Sequence, residues 1–116
     1  MNEEFREMTE YEYDLIQKLL SIDFPGREAL AKQIKSSVVR KIDNEGSLEF
    51  LVNGAPMAQV ERRIPIEAEA KDADGVAIHA LLHVVTGLVK ELEIYKDDSS
   101  SVIKMPSIPE WRLLKL

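Results

Sequence analysis

The chain has 116 residues, a formal net charge of −6 and no cysteine. That length suffices for one domain with an unaided core, and without cysteine there can be no disulfide, zinc–thiolate site or thiol catalysis. The negative charge opposes nucleic-acid binding, which rests on Lys and Arg meeting phosphate, and no apolar run reaches the roughly 20 residues of a membrane span.

The segment Met1–Glu7 is polar and acidic, unlike a signal peptide, so a cytoplasmic location is expected. Thr9-Glu10-Tyr11-Glu12 has the form of a capping box: the Thr9 hydroxyl can accept from the Glu12 amide, and Glu12 can reach back. Leu15, Ile16, Leu19 and Leu20 follow at helical spacing and predict a helix over 9–22. Pro25 disfavours helix at Phe24 and pre-sets φ for a new one. Asp23-Phe24-Pro25-Gly26 is therefore a tight junction plugged by Phe24, and a second helix is expected over 25–36 with Ala29, Leu30 and Ile34 inward.

Turn clusters at 43–46, 53–56, 72–75 and 86–87 then separate strands expected at 38–43, 47–52, 59–71, 76–85 and 88–96. The third strand alternates: Val60, Arg62, Ile64, Ile66, Ala68 and Ala70 fall on one face, Glu61, Arg63, Pro65, Glu67 and Glu69 on the other. Period two means one buried and one wet face. The covered face is expected to take Val60, Ile64, Ile66, Val76, Ile78, Leu82, Val84, Leu92 and Ile94. Because the connections are short, the predicted fold is a single α+β domain over 1–116, with two N-terminal helices packed on one face of a five-stranded antiparallel meander sheet. The C-terminal tail, 97–116, carries Trp111 among Ile108, Leu113, Leu114 and Leu116, and Trp111 is expected to pack down on the core.

Candidate functional residues lie on the wet face. His79 and His83 are four apart on a strand, so both point the same way but about 13 Å apart, too far to share one ion. Strand parity puts His79 opposite Glu67 or Glu69 and His83 near Arg63 or Pro65, and a three-residue turn over 85–87 would set His79 opposite Glu93. A His/Glu/Glu group admits a metal or a general acid–base pair. Cross-strand His–Glu pairs equally well stabilise a wet sheet face. Asp72-Ala73-Asp74-Gly75 begins like a calcium loop but lacks the closing glutamate, and reads as a hairpin turn. The basic residues are spread and not interleaved with aromatics, against single-strand nucleic-acid binding.

Thr9–Leu20 as a capped helix, the Asp23-Phe24-Pro25-Gly26 junction, Arg63-Ile64-Pro65-Ile66-Glu67-Ala68, Asp74-Gly75-Val76 and the strand LVKELEIY at 88–95 together resemble a group of small bacterial α+β proteins of unassigned function. Small acidic chains of this kind also resemble the immunity partners of bacterial toxins, including those of contact-dependent inhibition. That resemblance implies a basic toxin as partner and no active site.

The expected function is accordingly a protein-binding module, an acidic immunity protein that occludes the active site of a basic toxin. Glu67, Glu69, Asp72, Asp74, His79, His83, Glu91, Glu93 and Tyr95 form the expected partner-binding set. No catalytic residue, metal ligand or cofactor is assigned, because catalysis needs groups converging in a dry cleft and these are spread along strands. Two alternatives stand beside it: a homodimer pairing through the open sheet face, with Leu81 and Val89 in the interface, and a small enzyme or ligand-binding domain using His79 with glutamates.

Overall fold

The computed structural model describes residues 4–115; Met1–Glu3 and Leu116, which entered the expectations for the N-terminus and the tail, lie outside the described residues. The described chain runs α1 (Glu10–Leu19), α2 (Arg27–Lys35), β1 (Ser37–Lys41), β2 (Leu48–Val52), β3 (Ile66–Lys71), β4 (Ala77–Val85), β5 (Leu88–Lys96), a 3₁₀ turn (Ile108–Glu110) and β6 (Arg112–Lys115). Among the described residues no helix is long and apolar enough to cross a membrane.

The capping box opens α1 as its residues require: the Glu12 amide donates to Thr9 Oγ1 at 3.2 Å, and the Thr9 amide donates to Glu12 Oε1 at 2.9 Å. Leu15, Ile16 and Leu19 turn its apolar stripe inward. Gly26 precedes α2 at φ +90°, and a Cβ there would come within 2.8 Å of Val60 Cγ1, so glycine is needed for both backbone and space. Phe24 is buried at the junction.

Both helices pack against one antiparallel sheet, which has six strands in the order β1-β2-β5-β4-β3-β6. The expectation of a five-stranded meander is therefore corrected in strand number and in path. The sixth strand comes from the tail, where Leu113 and Leu114 pair with Ala68 and Glu67 at the β3 edge. β2 pairs with β5 and not with β3. The path differs because residues 53–65 are not a strand: β3 begins at Ile66, and the Ala58 amide donates instead to the Gly87 carbonyl, and the Val84 amide to the Arg63 carbonyl. The alternation of residues 60–64 thus follows an irregular crossing, with Val60 and Ile64 only half-buried, whereas Ile66, Ala68 and Ala70 are core.

Two polar devices complete this core. Gln33 is fully buried on α2; its Nε2 donates to the carbonyls of Pro56 and Gly87 at 2.7 and 2.8 Å, and its Oε1 accepts from the Val89 amide at 2.8 Å. One side chain thereby anchors α2 to the crossing and to the β4–β5 turn. At the opposite end, Lys96 is buried on β5 with its Nζ 2.9 Å from Asp72 Oδ2 and 2.7 Å from Asp74 Oδ2. Asp72 also accepts from the amides of Ala73, Ile103 and Lys104 at 2.7, 2.7 and 3.0 Å. Burial opposes its charge, but those amides and Lys96 outweigh burial and hold the Asp72 carboxyl below the usual carboxylate range. The pinned segment leads into Trp111, which is buried as expected and donates from Nε1 to Tyr11 Oη at 3.0 Å.

Replacing Gln33 by Ala leaves the Pro56 carbonyl and the buried Val89 amide without their Gln33 partner, while the Gly87 carbonyl keeps the Ala58 amide. Each such group costs about 1–3 kcal/mol, so Gln33→Ala is expected to lower unfolding stability by about 2–4 kcal/mol, read as a lower urea midpoint at unchanged slope. A midpoint equal to that of the parent chain would show that water replaces the amide at no cost.

Candidate functional site: an acidic and imidazole face on the central strands

Alternation along β4 sends Ile78, Ala80, Leu82 and Val84 into the core and His79, Leu81 and His83 to the outer face. The cross-strand register then decides what each histidine meets. On β3, Glu67 faces Leu81 and Glu69 faces His79. On β5, Tyr95 faces His79, Glu93 faces Leu81 and Glu91 faces His83. His79 was expected opposite Glu93; it faces Tyr95 because the turn has two residues and because the ladder shifts between His83 and Val84. Thr86 and Gly87 take φ +48° and +79°, the paired positive values of a two-residue hairpin turn. The two-residue turn moves the outer partners of β4 by one position relative to a three-residue turn, and the bulge, which adds one residue on the β5 side, moves them by one more.

His79 lies between two carboxylates. Its Nδ1 is 2.8 Å from Glu67 Oε2 and its Nε2 is 2.6 Å from Asp97 Oδ1. Ionised carboxylates only accept hydrogen bonds, so both ring nitrogens must donate and the ring is an imidazolium. Tyr95 stacks on it with centroids 4.8 Å apart. Burial lowers the His79 pKa, but the hydrogen bonds and charges of Glu67 and Asp97 outweigh burial and raise it above the ordinary value. Burial, together with the negative charge of Glu67, Asp97 and Glu93, pushes the Tyr95 phenol up, so it remains a donor at neutral pH.

His83 has different neighbours. Arg63 Nε donates to its Nδ1 at 3.1 Å, and its Nε2 lies 2.8 Å from Glu93 Oε1. Since Nδ1 accepts, the ring proton is on Nε2, directed at Glu93. Glu91, Glu93 and His83 each place one ligand-type atom within 4.8 Å of the others. Around these groups, Arg112 of β6 reaches Glu69 at 3.6 Å, and Glu49 takes both Arg40 at 2.7 Å and Lys90 at 3.2 Å. Leu81, nearly buried, floors the centre of the face, and Tyr95 is 40% exposed.

Seven of the nine expected site residues, Glu67, Glu69, His79, His83, Glu91, Glu93 and Tyr95, share this face. Asp72 and Asp74 do not join them: Asp72 is buried against Lys96, and Asp74 is drawn to the same ammonium. The sequence reading missed Asp97, placing it only in a polar loop, since nothing local foretells a reach to His79. Lys96 had a readable signal, its place in the inward series Leu92, Ile94, Lys96.

A family model described as a domain of unknown function (DUF6984) matches residues 5–106. The chain belongs to that family. No curated protein and no solved structure matches it. Within this DUF6984 domain the matched span holds all seven residues of the outer face, while Trp111 and β6, including Arg112, fall beyond it.

Because the folded His79 value is raised, its stabilising contribution is full below pH 6.5, the ordinary histidine value, and is lost as pH rises through the folded value. An imidazole NMR titration is expected to place His79 above 6.5, and Asp97→Asn to bring it down. A parent midpoint at or below 6.5 would contradict the doubly bonded ring.

Proposed function

We propose that the chain is a protein-binding module whose outer sheet face docks a basic protein. In its sharper form it is a cytoplasmic immunity protein of bacterial type that covers the active site of a cognate toxin. The observation that supports this reading best is the composition of that face. Leu81 and the stacked Tyr95–His79 pair form a small apolar and aromatic centre, and Glu67, Glu69, Glu91, Glu93 and Asp97 surround it. An aromatic centre with a charged rim is how protein interfaces are built, anchors in the middle and polar groups outside.

The backbone beneath is the middle of a six-stranded sheet, so docking requires little ordering of the main chain. A net charge of −6 would steer a cationic partner and raise its encounter rate. Asp72 is excluded from the docking set, because its carboxylate is already committed inside the protein.

The experiment is co-purification from the native host followed by titration of the recovered protein. One basic partner is expected, its toxicity relieved by co-expression and its association slowed as salt is raised. Glu69→Lys with Glu93→Lys is expected to weaken binding by at least about tenfold, since like charges facing each other across an interface cost several kcal/mol. Binding indifferent to salt and to both reversals would overturn the reading, as would self-association through this face in place of a second protein.

A further inference from the structure

His83, Glu91 and Glu93 form a group whose metal-ligating chemistry the docking reading does not require, although Glu91 and Glu93 also belong to its charged rim. His83 and Glu91 are direct cross-strand partners, and Glu93 follows on the same face of β5. The Glu91 side chain makes no hydrogen bond or ion pair among the described residues. Its other cross-strand neighbour is Glu49, whose charge is already taken by Arg40 and Lys90. A half-buried carboxylate therefore stands between two other carboxylates without a cation of its own, beside an imidazole nitrogen.

We infer that His83, Glu91 and Glu93 form a binding site for one divalent transition-metal ion of the zinc class, held closed in this structure by Arg63. One imidazole and two carboxylates are a donor set for borderline divalent cations. Bonds of about 2.1 Å to one ion put ligand atoms roughly 3.4 Å apart. His83 Nε2 and Glu93 Oε1 are already 2.8 Å apart, and the unpartnered Glu91 has only to swing in from within 4.8 Å. β4 and β5 are interior strands of the sheet, so their backbone supplies a rigid frame.

Arg63 is the built-in competitor. A histidine that binds metal through Nε2 carries its proton on Nδ1 and donates it to an acceptor. Here Nδ1 faces the Arg63 Nε–H at 3.1 Å, which holds the opposite tautomer and sets a positive charge against the ring on the side away from Nε2. Loading moves the ring proton from Nε2 to Nδ1 through solvent, with no net proton released, and turns the guanidinium away. The movement is confined to a side chain: Arg63 is exposed, while its carbonyl stays fixed by the Val84 amide at 2.7 Å. His79 cannot substitute, since Glu67 and Asp97 occupy both of its nitrogens.

Isothermal titration of zinc chloride into the full chain at neutral pH tests the site in the absence of any protein partner. A single saturable equivalent is expected, tightened roughly tenfold by Arg63→Ala, the size of effect that groups behind a ligand commonly have. His83→Ala and Glu91→Gln are expected to remove it and His79→Ala to leave it, with His83→Gln as a second variant and circular dichroism reporting that each one folds. No saturable binding in either the parent or Arg63→Ala, or binding that survives His83→Ala, overturns the proposal. Either result leaves the docking reading where it stood.

Discussion

The ammonium of Lys96, buried between Asp72 and Asp74, is the constraint from which the rest of the C-terminal architecture follows. A lone charge is not stable inside a protein; it persists there only when paired and hydrogen-bonded. Three segments supply the partners: the β3–β4 turn gives both aspartates, the end of β5 gives the lysine, and the amides of Ile103 and Lys104 complete Asp72. Satisfying that charge fixes where the chain goes after the sheet. From there it passes Pro106, whose carbonyl accepts from Tyr11 Oη, and delivers Trp111 to the core and β6 to the β3 edge.

The same strand end also builds the outer face. Tyr95 and Asp97 flank Lys96, and alternation turns them outward where Lys96 turns inward. Tyr95 stacks on His79 and Asp97 bonds it, so the imidazolium is held by groups whose position depends on the ion pair beneath the sheet. The polar interior and the acidic exterior are two sides of one piece of backbone.

At the other end of β5 the controlling group is Gln33. Its contacts to Gly87 and Val89 fix the β4–β5 turn, and the bulge that follows sets the ladder in which His83 meets Glu91 and Glu93 lies alongside. A buried amide on a helix thus has a say in which carboxylates gather at a histidine on the far face. The two histidines, similar in sequence context, end in different chemical states: His79 is saturated by two acceptors, while His83 has a donor on one nitrogen and an acceptor on the other.

Local patterns alone determined much of this protein. The capping box of Thr9 and Glu12, the break at Pro25, the burial of Phe24 and Trp111, and the face to which each histidine points were all legible, because each depends on neighbours a few residues away or on strand parity. Only the tertiary structure decided that residues 60–64, which alternate well, would not be a strand, and that 112–115, short and unremarkable, would be one. It also decided the register that gives His79 to Tyr95, the reach of Asp97, and the withdrawal of Asp72 into the interior. The reason is physical: alternation states which side of a sheet a residue prefers, whereas pairing is settled by competition among distant backbone groups and by the demand that every buried charge find a partner.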